Sequence, residues 1–110
     1  MLRSDIWVSA FVRRHNNIGH VCVVSRRGDT TAGQVFVELD HLNGLMSLYV
    51  PATAASRIDR MDERLFELRF DHVTPDKLRE RLLREADFDP DFWLVSLEMR
   101  QGDPGLDLVG

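Results

Sequence analysis

The 110-residue chain is poor in cysteine and has no long hydrophobic run, and both absences exclude classes of protein. Its one cysteine, Cys22, rules out an intrachain disulfide and makes a cytoplasmic location the default expectation. No apolar run approaches the roughly 20 residues that a membrane-spanning helix requires. The apolar run at residues 6–12 is short and leads into Arg13 and Arg14 without a cleavage pattern, so a secretory signal is not expected.

Signatures of catalysis and of cofactor binding are also missing. The chain has neither a Gly-rich phosphate loop nor a nucleophile elbow, and Cys22 is predicted to be a small core residue. Its carboxylates are scattered, and the acidic run at residues 87–91 is typical of helix ends and turns rather than of a metal site. The histidines lack metal-ligand spacing; they are His15, His20, His41 and His72. We therefore predict no catalytic residue, metal or cofactor, and favour a protein that is not an enzyme.

The distribution of charge is uneven. The formal net charge of −4 combines +3 over residues 1–37 with −7 over the remainder. An acidic total argues against binding to duplex DNA, which normally needs a broad basic face. The polarity between the two parts can steer a protein partner or favour self-association. No membrane partner is expected.

The hydrophobic patterns predict an α+β domain with a mostly antiparallel sheet of about five strands. A helix is predicted to begin with Thr74 as its cap and Pro75 as its first residue. Its buried stripe is predicted to be Leu78, Leu82, Leu83 and Ala86. The predicted strands are residues 20–27, 34–40, 45–50, 64–71 and 92–99, with Phe66, Leu68 and Phe70 facing the core.

Three segments are harder to assign. Residues 5–18 fit a helix or a strand; we favour a helix, with Ser4 as a cap and Gly19 in the left-handed conformation after it. Residues 51–63 are predicted to form a connector, the most mobile stretch of the chain. Residues 1–100 form the single predicted domain, and 101–110 are expected to be a frayed tail.

The segment from Arg26 to Gly33, with sequence RRGDTTAG, is the most distinctive part of the chain. Adjacent guanidinium groups can hold a carboxylate or phosphate, so the loop predicts an anion site, joined by Arg13 and Arg14 if the first segment packs alongside. The candidate ligand-binding residues are Arg13, Arg14, Arg26, Arg27, Gly28 and Asp29.

Two structural interpretations of the same loop remain open. In the first it is a hairpin loop in which Asp29 bonds its own backbone and Gly28 has a positive φ. In the second, strand 92–99 pairs beside strand 20–27, and the acidic turn at residues 87–91 forms salt bridges with the arginines.

Several separated motifs together resemble a known family. They are Trp7-Val8-Ser9-Ala10 with Arg13-Arg14, Arg26-Arg27-Gly28-Asp29 with Ala32-Gly33, and Phe88-Asp89-Pro90-Asp91 with Trp93 and Glu98. Over residues 4–100 the chain is similar to a small bacterial protein family of unknown function. The resemblance implies a stand-alone bacterial cytoplasmic domain, and it brings no activity, ligand or catalytic residue with it.

Function is left open between three classes. The favoured one is a non-enzymatic binding or regulatory module that acts through a protein partner or as a homo-oligomer, because the sheet has exposed edges. The alternative is a domain that binds a small anionic ligand or a nucleotide through its arginines. Binding of single-stranded nucleic acid, with Phe36 and Tyr49 as stacking platforms, is disfavoured by the negative charge.

Overall fold

A computed structural model describes residues 2–53 and 64–109. The first segment is a helix, and the five predicted strands and the second helix are confirmed. The predicted connector falls largely on residues 54–63, which lie outside the described residues. In chain order the elements are α1 (Ser4–Asn17), β1 (Val21–Arg26), β2 (Val35–Asp40), β3 (Met46–Pro51), β4 (Phe66–Val73), α2 (Pro75–Phe88) and β5 (Trp93–Glu98).

The strands form one sheet in the order β1-β5-β2-β3-β4. The β2–β5 pairing is parallel and the other three are antiparallel, which confirms the predicted α+β class with a mostly antiparallel sheet. The last strand of the chain therefore lies between the first two. Because β1 and β2 are not neighbours, the RRGDTTAG segment is not a hairpin loop but crosses the end of β5.

The two faces of the sheet carry separate hydrophobic cores. On one face α1 packs Val8 and Phe11 against a cluster that includes Trp93, Val95 and Leu97. On the other face Leu78 of α2 packs in a second cluster; its other buried members are Phe36, Leu48, Val50 and Phe92. The alternation of side chains along β2 and β5 supplies both cores, since successive residues of a strand point to opposite faces.

β-Bulges in β1 and β4 change which face a side chain occupies. In β1, Val24 pairs with Val95 and Arg26 with Leu94, so Ser25 is the extra residue and Arg26 shifts to the α2 face. In β4, Tyr49 pairs with Leu68 and Leu48 with Phe70, so Arg69 is extra there.

The second bulge overturns the prediction that Phe66, Leu68 and Phe70 share one core-facing side. Phe66 belongs to the core under α1, and Phe70 packs against the core under α2. Leu68 is 42% exposed. The inserted residue interrupts the period of two on which the prediction relied.

The ends of the helices match the sequence only in part. Gly19 has the expected left-handed conformation, with φ +93°, and Thr74 and Pro75 hold the predicted cap and first positions of α2. Ser4 is not a cap. It is the first residue of α1, and its buried hydroxyl donates to the carbonyl of Gly33 at 2.6 Å, which ties the helix to the end of the RRGDTTAG segment.

The C-terminal residues pack along the start of β4. Composition predicts that they fray, but Pro104 is buried and Leu106 packs against the core under α1. The N–H of Phe66 donates to the carbonyl of Asp107 at 2.9 Å, and the N–H of Val109 donates back to Phe66 at 3.0 Å. This parallel bridge covers the beginning of β4 at the edge of the sheet.

Candidate binding groove

Asp29 joins the RRGDTTAG segment to the turn before β5 through its backbone. Its N–H donates to the carbonyl of Asp91 at 3.0 Å, and its own carbonyl accepts from the indole N–H of Trp93 at 2.8 Å. The Asp29 carboxylate accepts from the N–H groups of Thr31 and Ala32, at 3.2 and 2.8 Å. Asp29 thus bonds its own backbone as the first structural interpretation required.

Gly28 is needed for close approach, not for an unusual backbone angle. A Cβ atom there would lie 2.3 Å from the carbonyl oxygen of Asp91 and 2.6 Å from the carbonyl carbon of Phe92. Gly28 is not among the residues with positive φ, so that part of the prediction is wrong. Gly33 is equally confined, with a Cβ position 2.7 Å from the carbonyl oxygen of Asp29.

The arginines of this segment stack on aromatic rings. The Arg26 guanidinium lies 4.5 Å from the centre of the Phe92 ring and donates to the carbonyl of Pro90 at 2.6 Å. Arg27 lies 5.1 Å from the centre of the Trp93 ring. Among the described residues no ion pair links either arginine to the acidic turn at residues 87–91, so the predicted salt bridges are wrong.

The structure does not bring the four candidate arginines together. The N–H of Ser4 bonds Thr31, so α1 begins beside the RRGDTTAG segment. Arg14 lies ten residues further along α1, about 15 Å away, where it contacts the Phe11 ring and the carbonyl of Gly105. Arg13 is exposed on the same last turn, whereas Arg26 is on the opposite face of the sheet. Anion binding by Arg26 and Arg27 stays a prediction.

The aromatic platforms proposed for single-stranded nucleic acid are buried. Phe36 is 3% exposed in the core under α2, and Tyr49 is 8% exposed in the core under α1. Bases stack only on accessible rings, and these two face opposite ways. The prediction that they stack bases is therefore wrong.

A groove with an apolar floor lies between α2 and strands β2 and β5; we call it the α2 groove. Its volume is about 440 Å³, within the range of ligand-binding clefts. The apolar lining includes Leu78, Leu82, Leu83, Phe92 and Leu94. The charged lining residues are Arg26, Glu38 and Arg79.

The groove exists because one helix cannot cover five strands. Strands lie about 4.8 Å apart and a helix is about 10 Å wide. Thus α2 packs on β3 and β4, and among the described elements nothing covers β5 and β1 on this face. Val21 and Val23 of β1 are accordingly 52% and 51% exposed. Leu83, predicted to be buried, is 62% exposed, because it faces the uncovered side of the sheet.

Three polar side chains form a hydrogen-bonded row across the uncovered face of the sheet. Glu38 and Ser96 are register partners in the parallel β2–β5 pair, and the Ser96 hydroxyl donates to the Glu38 carboxylate at 2.6 Å. The Ser25 hydroxyl hydrogen-bonds that of Ser96. Ser25 lies on the same face as Val21 and Val23, so the hydrogen-bonded row Ser25–Ser96–Glu38 depends on three strands.

A second polar cluster, at the ends of β3 and β4, does not provide a nucleophile. The hydroxyl of Ser47 contacts the ring of His41 at 2.7 Å and accepts from the N–H of His72 at 3.1 Å. Ser47 is only 1% exposed, so a substrate cannot reach it. The rings of His41 and His72 stack at 3.7 Å; burial, together with the charge of His72, lowers the pKa of His41.

Three further properties concern metal ligands, the cysteine thiol and membranes. The described residues contain no group of three or more His, Cys, Asp or Glu side chains placed to hold a metal ion. Burial raises the pKa of the Cys22 thiol to about 11, which suits a core residue. Within the described part of the chain, neither helix has the length and apolar character needed to cross a bilayer.

Sequence reasoning missed Glu38, Ser96 and the exposure of Leu83. The available signal was the alternation within strands: Phe36 and Glu38 share a face, as do Leu94 and Ser96, so a polar side chain follows an apolar one in each strand. That signal predicts no site until β2 and β5 are known to be parallel neighbours.

The comparisons with known proteins agree with one another. A family model described as "Protein of unknown function (DUF1491)" matches residues 2–107. No curated protein matches the chain. The crystal structure of a DUF1491 family protein from Caulobacter crescentus CB15 is 31% identical, with a TM-score of 0.79, and the match covers 99% of this chain and 98% of that one.

Two solution structures are also similar. One, of a protein from A. tumefaciens, is 34% identical with a TM-score of 0.84 and covers 98% of this chain and 94% of that one. The other, of a DUF1491 family protein from Caulobacter crescentus CB15, is 31% identical with a TM-score of 0.79 and covers 99% and 97%. The chain therefore belongs to the DUF1491 family of proteins of unknown function.

Proposed function

We propose that this protein is a non-enzymatic, cytoplasmic binding module that docks an amphipathic helix of a partner protein in the α2 groove. The observation that carries the proposal is an apolar groove running along α2 beside strands that neither described helix covers on that face. Recognition of an amphipathic helix by a hydrophobic groove is a common mode of protein binding. The single buried cysteine supports a reducing compartment.

The dimensions of the groove fit a helix of about three turns. Its lining extends from Pro75 to Ala86 of α2, a length of about 17 Å at 1.5 Å per residue. A partner helix lying beside α2 would complete the helical layer over β5 and β1. It would remove the exposed parts of Val21, Val23 and Leu83 from water. This burial would stabilise the complex by about 25 cal/mol for each Å² of apolar surface.

The charged residues of the strands beside the groove are arranged by sign from one end to the other. Arg26 lies where β5 begins, since it pairs with Leu94. Asp40 and Glu98 pair with each other where β2 and β5 end, and Glu38 lies between the two ends. A partner helix with an acidic residue near Arg26 and basic residues toward the other end would be complementary, which favours one orientation of docking.

Site-directed photo-cross-linking in cells of the source organism tests this proposal. A benzoylphenylalanine replaces Leu83, which is 62% exposed in the groove; in a matched control it replaces Ile18, which is 66% exposed at the end of α1. We expect protein adducts at position 83 that are absent at position 18. We expect the cross-linked segment of the partner to have the apolar spacing of an amphipathic helix.

A synthetic peptide of that segment then provides the quantitative test. It should bind the purified chain, shift the amide signals of the groove, and bind at least about tenfold more weakly to Leu83→Asp, which places a charge in the apolar contact. Equal adducts at both positions, or adducts only to a second copy of this chain or to nucleic acid, would contradict helix docking.

A further inference from the structure

Glu38 is a half-buried carboxylate that lines the α2 groove. Its hydrogen bond to the Ser96 hydroxyl, at 2.6 Å, is a neutral contact. Among the residues that the structure describes, no Arg, Lys or His side chain forms an ion pair with it. A charge in apolar surroundings is costly unless it is paired, so this carboxylate is a position where a cation would be favourable.

The two guanidinium groups that line the same groove have other partners. Arg26 stacks on Phe92 and donates to the carbonyl of Pro90. Arg79 pairs with Asp76 at 2.9 Å. The negative charge of Glu38 is therefore available to a ligand.

The hydroxyls behind Glu38 fix the position of its carboxylate. Ser96 donates to one carboxylate oxygen, and Ser25 contacts Ser96 in turn. The second oxygen, Oε2, forms no hydrogen bond among the described residues, and Glu38 lines the groove together with Leu94 and Leu83. An apolar surface with a few placed polar groups is the usual construction of a selective binding site.

We infer that Glu38, positioned by Ser96 and Ser25, is the specificity-determining residue of the α2 groove and receives a lysine or arginine side chain of the docked partner helix. This inference rests on the proposed function, which supplies the helix, and it adds the chemistry that the helix must carry. The alkyl stem of such a side chain would lie on Leu94 while its charged end reaches Glu38.

Small probes test the charge preference of the groove without the partner. The full-length, isotope-labelled chain is titrated with hexylguanidinium, hexan-1-ol and hexanoate, and amide signals are followed by NMR. We expect hexylguanidinium to shift the signals of Glu38, Ser96 and Leu94 and to bind about tenfold more tightly than hexanol. Hexanoate should bind more weakly than either.

Three variants identify the residue that is responsible for the preference. Glu38→Gln keeps an oxygen that accepts from Ser96 but removes the charge, so the advantage of hexylguanidinium over hexanol should vanish. Glu98→Gln is the matched control: it removes the same charge from an exposed position of the same face, outside the groove lining, and should leave the preference in place. Ser96→Ala, which loses the hydroxyl that positions the carboxylate, should reduce the preference without abolishing it.

Each other result overturns the inference in a recognisable way. Equal binding of the three probes, a preference for hexanoate, or the absence of any shift at the groove would show that Glu38 does not select a cation. A guanidinium preference that survives Glu38→Gln would assign it to another residue. Failure of the proposed function would instead appear as missing cross-links at position 83, and would leave the probe result unchanged.

Discussion

Gly28 has no room for a side chain against the backbone of residues 91–93. A Cβ atom there would approach three heavy atoms of this turn at 2.3 to 2.7 Å. We expect Gly28→Ala to lower the free energy of unfolding by about 3 kcal/mol, because overpacking must displace either β1 or the turn before β5. Urea unfolding followed by tryptophan fluorescence measures it.

Gly44→Ala is the control for the conformational cost of replacing a glycine. Gly44 has φ +90° and nothing within 4 Å of its Cβ position, so only backbone strain opposes the change, at about 1 kcal/mol. If the two variants were equally stable, the contact of Gly28 with the turn would not be a significant constraint.

His15 makes the stability of the fold depend on pH. Its Nε2 donates to the carbonyl of Pro104 at 2.7 Å, so its Nδ1 is the acceptor in the 2.9 Å contact with Nδ1 of His20. Burial is the main cause that lowers its pKa from the ordinary 6.5, with smaller contributions from the charges of His20 and Arg14.

The direction of the effect follows from proton binding. Below pH 6.5 His15 binds a proton in the unfolded chain, whereas in the folded chain its lowered pKa keeps it neutral to a lower pH. The free energy of unfolding therefore decreases as the pH falls below 6.5. We expect urea midpoints to decrease from about pH 7 to about pH 5, and His15→Gln to flatten that decrease. His41, whose pKa is also lowered, accounts for a further part. An unchanged slope in His15→Gln would contradict this assignment.

At the scale of elements, the C-terminal segment after residue 102 packs over the core under α1; we call this segment the strap. Leu106 packs against that core, whereas Leu108 is 46% exposed. Leu106→Ala is expected to lower the free energy of unfolding by about 2 kcal/mol and Leu108→Ala by less than about 0.5 kcal/mol. Thermal unfolding of both variants checks this, and equal small effects would show that the segment contributes little.

Some elements of the fold have a signal in the sequence and others do not. Alternation and turn residues identified β2, β3 and α2, because those signals are local: Thr74-Pro75 begins a helix wherever it is placed. The bulges at Ser25 and Arg69 have no sequence signal, since each is set by the register of a neighbouring strand. The bulge in β1 moves Arg26 to the α2 face, across the sheet from Arg13 and Arg14. The predicted arginine cluster is therefore absent because of the strand register, which the sequence does not reveal.

The groove was beyond sequence reasoning for the same reason. Glu38 and Ser96 are far apart in the chain and become neighbours only through the parallel β2–β5 pairing. The exposure of Leu83 likewise depends on which strands α2 leaves uncovered. The turn formed by Asp29 is local, and it was among the interpretations that the sequence supported.

For the whole molecule, β5 is the strand on which both cores depend. It is the last of the five described strands yet lies between β1 and β2, and among these strands β1 pairs with β5 alone. Trp93, Val95 and Leu97 belong to the core under α1, while Phe92 belongs to the core under α2. The sheet is therefore incomplete until the C-terminal part of the chain has been made.

Truncation tests this dependence. A chain of residues 1–90 lacks β5 and should show no cooperative urea transition by circular dichroism, because losing these side chains removes more than the total stability of about 5–15 kcal/mol typical of a domain. A chain of residues 1–102 keeps β5 and loses only the strap, so it should still unfold cooperatively at a lower urea concentration. A cooperative transition in the shorter chain would mean that β2, β3, β4 and α2 fold without their central partner, and that β5 docks afterwards on a preformed surface.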